Sequence, residues 1–291
     1  KSPALEAALA ALGVRLVNLQ ERFPEAAGSN WQRLLRLREL LTAESVQQLV
    51  WISVVTMMPL AFGMRMAPVQ TWFAMKYRNF SQPDIDGYLT GSALTPFRTL
   101  AGRNWRMVSL GVDDWYDESL QSEAAAIRSA LHADVVLMTL GRTEKMKDPV
   151  YLQAMVEVLQ QNPDAIFLWA GRQAEPDVVA AFEKGGVAER TKFIGWVNTR
   201  LFAQVADIFL DTFPFPCTFT LFQSMAAGKP VVIYDSPEAV QTGLWGLLQS
   251  LEDGDADARA SLQALVGNSR GPLISVAHSP AEYVALASRL A

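Results

Sequence analysis

The second half of the chain alternates short apolar segments with amphipathic ones, and this alternation restricts the fold more than any other feature. The apolar segments that we predict to be strands are residues 135–141, 165–171, 191–197, 208–210 and 231–234. The segments predicted to be helices lie between them, at residues 149–163, 176–186, 199–206 and 218–227. Strands that alternate with helices through short loops are typical of a parallel sheet with helices on both faces. The pattern therefore predicts a doubly wound, Rossmann-like α/β domain.

The first half of the chain is less regular but suggests a second parallel sheet. Leucines at helical spacing predict a helix at residues 30–41. The segments that we predict to be strands here are residues 14–19, 49–56, 67–73 and 85–91. A polar connector at 112–134, with a helix predicted at 119–131, leads into the second half.

These patterns predict two Rossmann-like domains. We expect an N-terminal domain at residues 1–118, which is short for a complete Rossmann-like half and looks incomplete, and a C-terminal domain at 119–291. The last helix, predicted at 279–290, is expected to pack back on the N-terminal domain.

Composition and charge exclude several classes of function. The net charge is −5 and no run of Lys or Arg occurs, so we expect no nucleic-acid partner. Cys217 is the sole cysteine, which excludes an internal disulfide and a cysteine-based zinc site. The two histidines, His132 and His278, lie far apart in the sequence. We therefore expect no metal and no cofactor, and a location in the reducing cytoplasm.

Residues 45–64 carry no charged side chain and require a test for a membrane span. Gln47, Gln48, Pro59 and Gly63 interrupt the apolar character of this stretch. A helix end followed by a buried strand explains it better, so we predict no membrane span. The N-terminus also lacks the pattern of a signal peptide.

Three common enzyme motifs are missing from the sequence. No strand is followed by a GxGxxG fingerprint, and no Walker A loop occurs. Neither histidine lies in a context that suggests a Ser-His-Asp triad. Any chemistry must therefore use the loops that follow the predicted strands.

Cationic residues follow two of these strands. Arg142, Lys145 and Lys147 lie in the loop at 140–149, where positive charge can neutralise a diphosphate on a leaving nucleotide. Gly171 and Arg172 follow the next strand in the same way. The alternative for each loop is an ordinary solvated surface.

Two further loops offer groups for a phosphorylated ligand. Trp196, near the end of the strand predicted at 191–197, is placed either to pack on a nucleobase or to lie in the core or its rim. Thr218 and Thr220 lie at the start of the helix at 218–227, where hydroxyls can cap the helix or bind phosphate. Because all four loops are predicted at one edge of one sheet, together they indicate a site for a phosphorylated small molecule.

Three stretches of the chain resemble a known family. They are EKMKDPVYLQAMVEVLQQNPDAIFLW (144–169), ADIFLDTFPFPCTFTLFQSMAAGKPVV (206–232), and RMAPVQTWF with IDGYLTG (65–73 and 85–91). They resemble GT-B glycosyltransferases, and more closely the O-GlcNAc transferases and related bacterial cytoplasmic protein glycosyltransferases. The resemblance implies a GT-B-like α/β fold, with two Rossmann-like domains that face a cleft.

The resemblance also implies an activity and a set of site residues. The activity is an inverting transfer of a sugar from a UDP-sugar co-substrate to a protein or peptide, without a metal. The diphosphate-binding lysine of the family corresponds to Lys145, with Lys147 as the alternative. The further positions that the resemblance assigns to the nucleotide sugar are Thr218, Phe219, Thr220 and Gln223. From the strand-end loops we add Arg142, Gly171, Arg172, Trp196, Val197 and Pro216. Phe219 replaces a threonine of the family, and Gln223 replaces its ribose-binding aspartate.

The acceptor side of the resemblance is weaker. The family has a histidine in its N-terminal domain, whereas this chain has no histidine before His132. Near the position of that histidine, the candidates in this chain are Gln70, Lys76 and Arg78 for binding the acceptor, and Asp86 as a catalytic group.

Two alternatives remain from the sequence. One is a GT-B enzyme that acts on a glycan or a lipid-linked polysaccharide, for which the apolar stretch at 45–64 is weak support. The other is a non-catalytic GT-B-like partner subunit, which Phe219, Gln223 and the missing histidine favour.

Overall fold

The chain divides into two compact units, Lys1–Ser109 and Leu110–Ala291. The computed structural model describes residues 3–26, 28–52, 57–74, 81–91, 97–100, 102–108, 115–217, 219–235 and 273–291. The assignment of an acceptor-side domain to residues 1–118 and of a nucleotide-sugar domain to 119–291 stays a prediction.

The first unit contains a mostly parallel sheet. Its helices are α1 (Pro3–Ala11), α2 (Leu19–Arg22), α3 (Asn30–Ala43) and α4 (Met58–Gly63). Its strands are β1 (Gln48–Ile52), β2 (Val69–Ala74), β3 (Gly87–Gly91), β4 (Phe97–Leu100) and β5 (Arg103–Val108). Among the described residues the order is β1-β2-β3-β5-β4, and every pair is parallel except β4 with β5.

The strands predicted at 67–73 and 85–91 are confirmed as β2 and β3, and the helix predicted at 30–41 is α3. Residues 49–52 of the strand predicted at 49–56 lie in β1, while residues 53–56 lie outside the described residues. The predicted burial of this strand is wrong, because β1 lies at an edge of the described sheet and alternates between exposed and half-buried residues.

The strand predicted at 14–19 is wrong. The Asn18 side chain accepts a hydrogen bond from the N–H of Gln20 and begins α2 instead. Val14 and Leu16 are exposed, so no core draws this segment into a sheet. The antiparallel pair β4–β5 was not predicted.

An aromatic cluster forms the core of the first unit. The rings of Trp72 and Trp105 meet edge to face at 5.3 Å, and Tyr88 lies 5.0 Å from Trp105. Phe62 of α4 is fully buried in the same cluster. The uncharged stretch at 45–64 therefore supplies β1 and α4. No helix among the described residues has the length and apolar character that a membrane crossing requires.

The second unit contains a parallel sheet with the predicted alternation. Its strands are β6 (Val135–Leu140), β7 (Ala165–Ala170), β8 (Thr191–Phe193), β9 (Ile208–Leu210), β10 (Val231–Tyr234) and β11 (Ile274–Ala277). Its helices are α5 (Gln121–Ala130), α6 (Pro149–Gln161), α7 (Pro176–Lys184), α8 (Thr199–Val205), α9 (Phe219–Ala226) and α10 (Pro280–Leu290). The predicted strand at 191–197 is too long, because Gly195 takes a left-handed turn (φ 72°) after β8 ends.

The strand order of the second unit reverses once. Read across the sheet it is β8-β7-β6-β9-β10-β11 among the described strands, and all its pairs are parallel. The chain builds outward from β6 to β8, then crosses back to β9 and builds outward on the other side. This order is that of dinucleotide-binding doubly wound sheets, and the reversal falls between β6 and β9.

Helices cover both faces of this sheet. Leu137 faces a core with Tyr151 of α6, Phe182 of α7 and Tyr283 of α10. Its neighbours Val136 and Met138 face the opposite core, which α5, α8 and α9 complete. Strands buried on both faces explain the continuous apolar runs in the sequence. The last helix packs on α6 and on the sheet of its own unit.

Candidate functional site

Two loops flank the point where the strand order reverses in the second unit. Residues 141–148 follow β6, and residues 211–217 follow β9. In doubly wound sheets, ligands bind in the crevice that these two loops border. The sequence predicted site residues in both loops, so their geometry decides which side chains can contact a ligand.

Lys145 joins the two loops. It lies at the end of a short 3-10 turn, Thr143–Lys145, and its Nζ donates a hydrogen bond of 2.7 Å to the carbonyl of Pro216. The partner is a neutral carbonyl, so the positive charge of the ammonium stays available for an anion. The structure thus brings the predicted residues Lys145 and Pro216 into contact, one from each of the two loops that border the crevice.

Asp211 organises the loop after β9. One oxygen of its buried carboxylate accepts the backbone N–H groups of Thr212 (2.9 Å) and Cys217 (2.6 Å). Burial raises the pKa of Asp211 to about 7, while these hydrogen bonds and the charge of Lys145 act in the opposite direction. We did not predict Asp211 as a site residue, although an aspartate directly after a buried apolar strand was a visible signal.

The start of α9 is tied to the end of β6. The hydroxyl of Thr220 donates to the carbonyl of Leu140 at 2.7 Å. A Cβ atom on Gly141 would lie 3.1 Å from the sulfur of buried Cys217, so a side chain there would crowd the loop after β9. Thr220 therefore lies at the start of α9 as predicted, but its hydroxyl gives its one proton to Leu140 and ties α9 to β6, so in this arrangement it has no proton to donate to a phosphate.

Gln223 lies one turn further along α9. Its Oε1 atom is buried and has no hydrogen-bond partner among the residues that the structure describes. A buried acceptor without a donor costs about 1–3 kcal/mol. Such an atom fits a ligand that brings a hydroxyl, which is the role that the resemblance assigns to this position.

Phe219, the first residue of α9, is 45% exposed. Its ring stacks on that of Trp115, with centroids 5.7 Å apart and planes inclined by 24°. Sequence analysis assigned Phe219 to the nucleotide sugar but did not identify Trp115. Thr218, which was also predicted, lies outside the described residues.

Lys147 differs from Lys145 in its partner. Its Nζ lies 2.8 Å from a carboxylate oxygen of Glu175, the residue that precedes α7. The hydrogen bond from Lys147 lowers the pKa of Glu175. Because its charge is already paired, Lys147 is the weaker candidate for a diphosphate. Arg142, in the same loop, is exposed.

The loops after β7 and β8 meet each other. The N–H of Gly171 donates to the carbonyl of Gly195 at 3.1 Å, while Arg172 is exposed. Trp196 is 81% exposed, so it is not a core residue. Val197 is half-buried against the core that α8 completes. Their contacts with a nucleotide sugar stay predictions.

The predicted acceptor residues lie in the first unit. The Gln70 side chain is fully buried and bonds to the N–H of Met66 and to the carbonyls of Phe62 and Asp84. These bonds use the groups that an acceptor would need, so the geometry of Gln70 favours a structural role.

Asp86 belongs to the same network. It accepts from the N–H of Gln70 at 2.7 Å and from Arg65 at 2.9 Å. The Gln70 hydrogen bond lowers its pKa, and Arg65 adds to the effect, so Asp86 is a weak base. Its catalytic role stays a prediction. Lys76 and Arg78 lie outside the described residues.

No group of three or more His, Cys, Asp or Glu side chains among the described residues is placed to hold a metal ion.

Comparisons with known proteins match this architecture. Residues 134–267 match the family model described as glycosyl transferases group 1. A mutant O-GlcNAc transferase of Thermobaculum terrenum aligns with 88% of this chain and 47% of its own, at 19% identity and a TM-score of 0.52. An α,α-trehalose-phosphate synthase (UDP-forming) of Burkholderia vietnamiensis aligns with 89% of this chain and 68% of its own, at 13% identity and a TM-score of 0.50.

The solved structures establish the fold at these identities, and this chain spans about half the length (47%) of the O-GlcNAc transferase. A search of curated proteins gives no significant match. The chain therefore has the GT-B fold of glycosyltransferases, and its residues 134–267 are similar to the glycosyl transferases group 1 family.

Proposed function

We propose that the protein transfers a sugar from a UDP-sugar to a hydroxyl or amide of a protein or peptide, and that the unit Leu110–Ala291 binds the donor. The observation that carries this proposal is the position of Lys145. Its ammonium bridges the loops after β6 and β9, at the reversal point where doubly wound sheets bind ligands.

The electrostatics of this edge suit a leaving nucleotide. When the bond between sugar and diphosphate breaks, negative charge builds up on the diphosphate oxygens. The ammonium of Lys145 and the N–H groups in the first turn of α9, which have no acceptor within the helix, stabilise that charge, and they need no metal. Preorganised charge of this kind lowers the barrier because it needs no rearrangement during the reaction.

Gln223 supports a nucleotide rather than a simple phosphate. Its Oε1 atom, which has no hydrogen-bond partner in the described part of the chain, lies one turn along the helix whose N-terminus faces the proposed diphosphate. A ribose attached to the diphosphate carries hydroxyl groups that can donate to it. The name of the Burkholderia vietnamiensis synthase describes an enzyme that forms UDP, which supports UDP as the nucleotide here.

The acceptor and the stereochemistry rest on the resemblance. The Thermobaculum terrenum neighbour is named as an O-GlcNAc transferase, which supports transfer of a sugar such as GlcNAc. The protein or peptide acceptor and inversion at the anomeric carbon are what the sequence resemblance implies. A cytoplasmic location belongs to the same proposal. We assign no general base, because the hydrogen bonds of Asp86 weaken it as one.

Thermal denaturation with nucleotides tests the donor site. A ligand present at about 100 times its Kd adds about 2.7 kcal/mol to the free energy of unfolding. We expect UDP and one UDP-sugar to raise the Tm, GDP to raise it less, and Lys145→Ala to abolish the shift. Lys147→Ala is the matched control and should keep it.

A transfer assay then tests the acceptor, with a labelled UDP-sugar offered to peptides and, separately, to glycans. Label on glycans alone would replace the protein acceptor with a glycan. No Tm shift with any nucleotide and no transfer to either acceptor would refute the proposal.

A further inference from the structure

An aromatic surface at the start of α9 has no role in the site described so far. Phe219 is 45% exposed and stacks on Trp115, and Phe222 meets Trp115 edge to face at 5.4 Å. A single exposed aromatic residue is ordinary, whereas two stacked rings beside a candidate ligand site offer a flat apolar face.

This surface is held in place from both sides. Phe222, one turn after Phe219, packs on the core beneath α9. On the other side, Gln204 of α8 donates to the carbonyl of Asp117 at 2.9 Å, and Asp117 caps the short turn Glu118–Leu120. The segment that carries Trp115 is therefore anchored to its own unit. A rigid platform binds a ring at a low cost in conformational entropy.

The order of groups along α9 indicates which part of the donor this platform meets. Gln223 is proposed to contact the ribose, and Lys145 is proposed to contact the diphosphate. Phe219 begins the helix and lies one turn from Gln223, on the side away from the proposed ribose. In a UDP-sugar, the group that continues beyond the diphosphate in this direction is the sugar.

We infer that the Trp115–Phe219 pair binds the apolar face of the donor's hexopyranose ring and determines which sugars are accepted. This inference rests on the proposed donor site. Hexopyranoses present a face of C–H groups, and these groups pack well on the electron-rich face of an aromatic ring. Phe219 has no hydrogen-bonding group, so it contributes apolar contact rather than a bond to phosphate.

Binding measurements on the full chain separate the sugar from the nucleotide. Isothermal titration with UDP, UDP-GlcNAc and UDP-glucose gives a Kd for each ligand. We expect Phe219→Ala and Trp115→Ala to raise the Kd of one or both UDP-sugars about three- to tenfold, which corresponds to one lost aromatic contact. The Kd of UDP itself should change less than about twofold, because UDP has no sugar at this place.

Two further variants guard against loss of folding. Phe219→Tyr keeps the ring and should keep the ratio between the Kd values of UDP and UDP-sugar. Phe219→Leu keeps apolar volume without an aromatic face and should lower the affinity for the UDP-sugar alone. Trp31→Ala removes an exposed tryptophan of the first unit and is the matched control, with no expected change in either Kd.

The possible outcomes separate this inference from the proposed function. Equal weakening of UDP and UDP-sugar, or no weakening of either, would show that the pair only fastens the segment around Trp115 to α9 and would overturn the inference. In both cases the wild-type protein still binds UDP, so the donor site stands. No UDP binding by the wild-type protein would overturn the proposed function and this inference together.

Discussion

Two buried glutamines show how differently the two units use the same side chain. In the first unit, Gln70 accepts one hydrogen bond and donates two, and its own N–H binds Asp86. In the second unit, the Oε1 atom of Gln223 is buried without a partner among the described residues. The satisfied amide holds its own unit together, whereas the unsatisfied one leaves an acceptor for a ligand.

The cations of the two units differ in the same way. Arg65 donates to Asp86 and to the carbonyls of Pro68 and Asp84, so the fold uses its hydrogen-bonding groups. Lys145 donates to one neutral carbonyl and lies where strand order reverses. A polar residue near a strand end therefore indicates a ligand site only when its hydrogen bonds are left incomplete.

The largest expected effect is at Lys145. Loss of its ammonium removes charge stabilisation from the leaving diphosphate, so Lys145→Ala should lower kcat/KM for sugar transfer by about 100-fold or more. Lys147→Ala, in which the lost ammonium was paired with Glu175, should change kcat/KM less than about threefold. Steady-state kinetics with a labelled donor measure both. Equal losses would show that the ion pair of Lys147 does not distinguish the two lysines.

Gln70→Leu should destabilise the protein without weakening nucleotide binding. The change leaves the buried N–H of Met66 without its acceptor and removes one of the donors to the carbonyls of Phe62 and Asp84, so the free energy of unfolding should fall by about 1–3 kcal/mol. Urea denaturation measures the loss, and titration with UDP is the control. A large loss of UDP affinity with unchanged stability would reverse the roles given to the two glutamines.

Asp211 should make stability depend on pH in an unusual direction. Its pKa is raised from 3.8 to about 7 by burial, so between these values the folded state holds a proton that the unfolded state has lost. The free energy of unfolding contributed by this group therefore falls as pH rises from about 4 to about 7, by up to about 1.4 kcal/mol per pH unit. The titratable groups that face Asp211 are Lys145, Tyr151, Cys217 and Tyr283.

Asp211→Asn keeps the acceptor for Thr212 and Cys217 and removes the titration. Denaturant unfolding at several pH values gives the free energy of unfolding of both proteins. The difference between wild type and variant should change with pH between about 4 and 7 and stay constant above about pH 7. A wild-type slope that persists unchanged in the variant would assign it to another group.

The smallest effect is expected at Gln223. Gln223→Leu removes a buried acceptor that has no described partner, so stability should be unchanged or slightly higher. Affinity for UDP should fall about three- to tenfold, because one hydrogen bond to the ribose is lost. The matched change at Gln70 should give the opposite pair of results. Calorimetry and urea denaturation on both variants complete the comparison.

The sequence predicted the parts of the fold that local pattern controls. Apolar strands such as β6 and β7 are buried on both faces, so their composition alone identified them, and Pro149 and Asn162 marked the ends of α6. The segment at 14–19 is also rich in Val and Leu, but it includes Arg15 and Asn18, it is exposed, and the Asn18 cap begins a helix there. The pair β4–β5 alternates only weakly between apolar and polar residues, so the sequence pattern did not predict it.

The candidate site was predictable where residues are near in sequence to the strand ends. Lys145 and Thr220 follow directly from strand–loop–helix order. The stacking of Trp115 on Phe219 joins residues that no local pattern connects, and the partners of Lys147 and Gln70 lie on other elements. Sequence reasoning named the residue types at the edge of the sheet but not which of them would keep an incomplete set of hydrogen bonds.

The hydrogen bond between Lys145 and Pro216 also constrains when the site can form. It joins residues 71 positions apart, and the pairing of β6 with β9 spans a similar distance along the chain. Contacts of this kind form slowly because a long loop must close first. A nascent chain that has emerged as far as β8 would contain half of the sheet's described strands yet no donor site. During refolding, nucleotide binding should therefore develop later than helix formation. The time at which binding develops would measure when β9 pairs with β6.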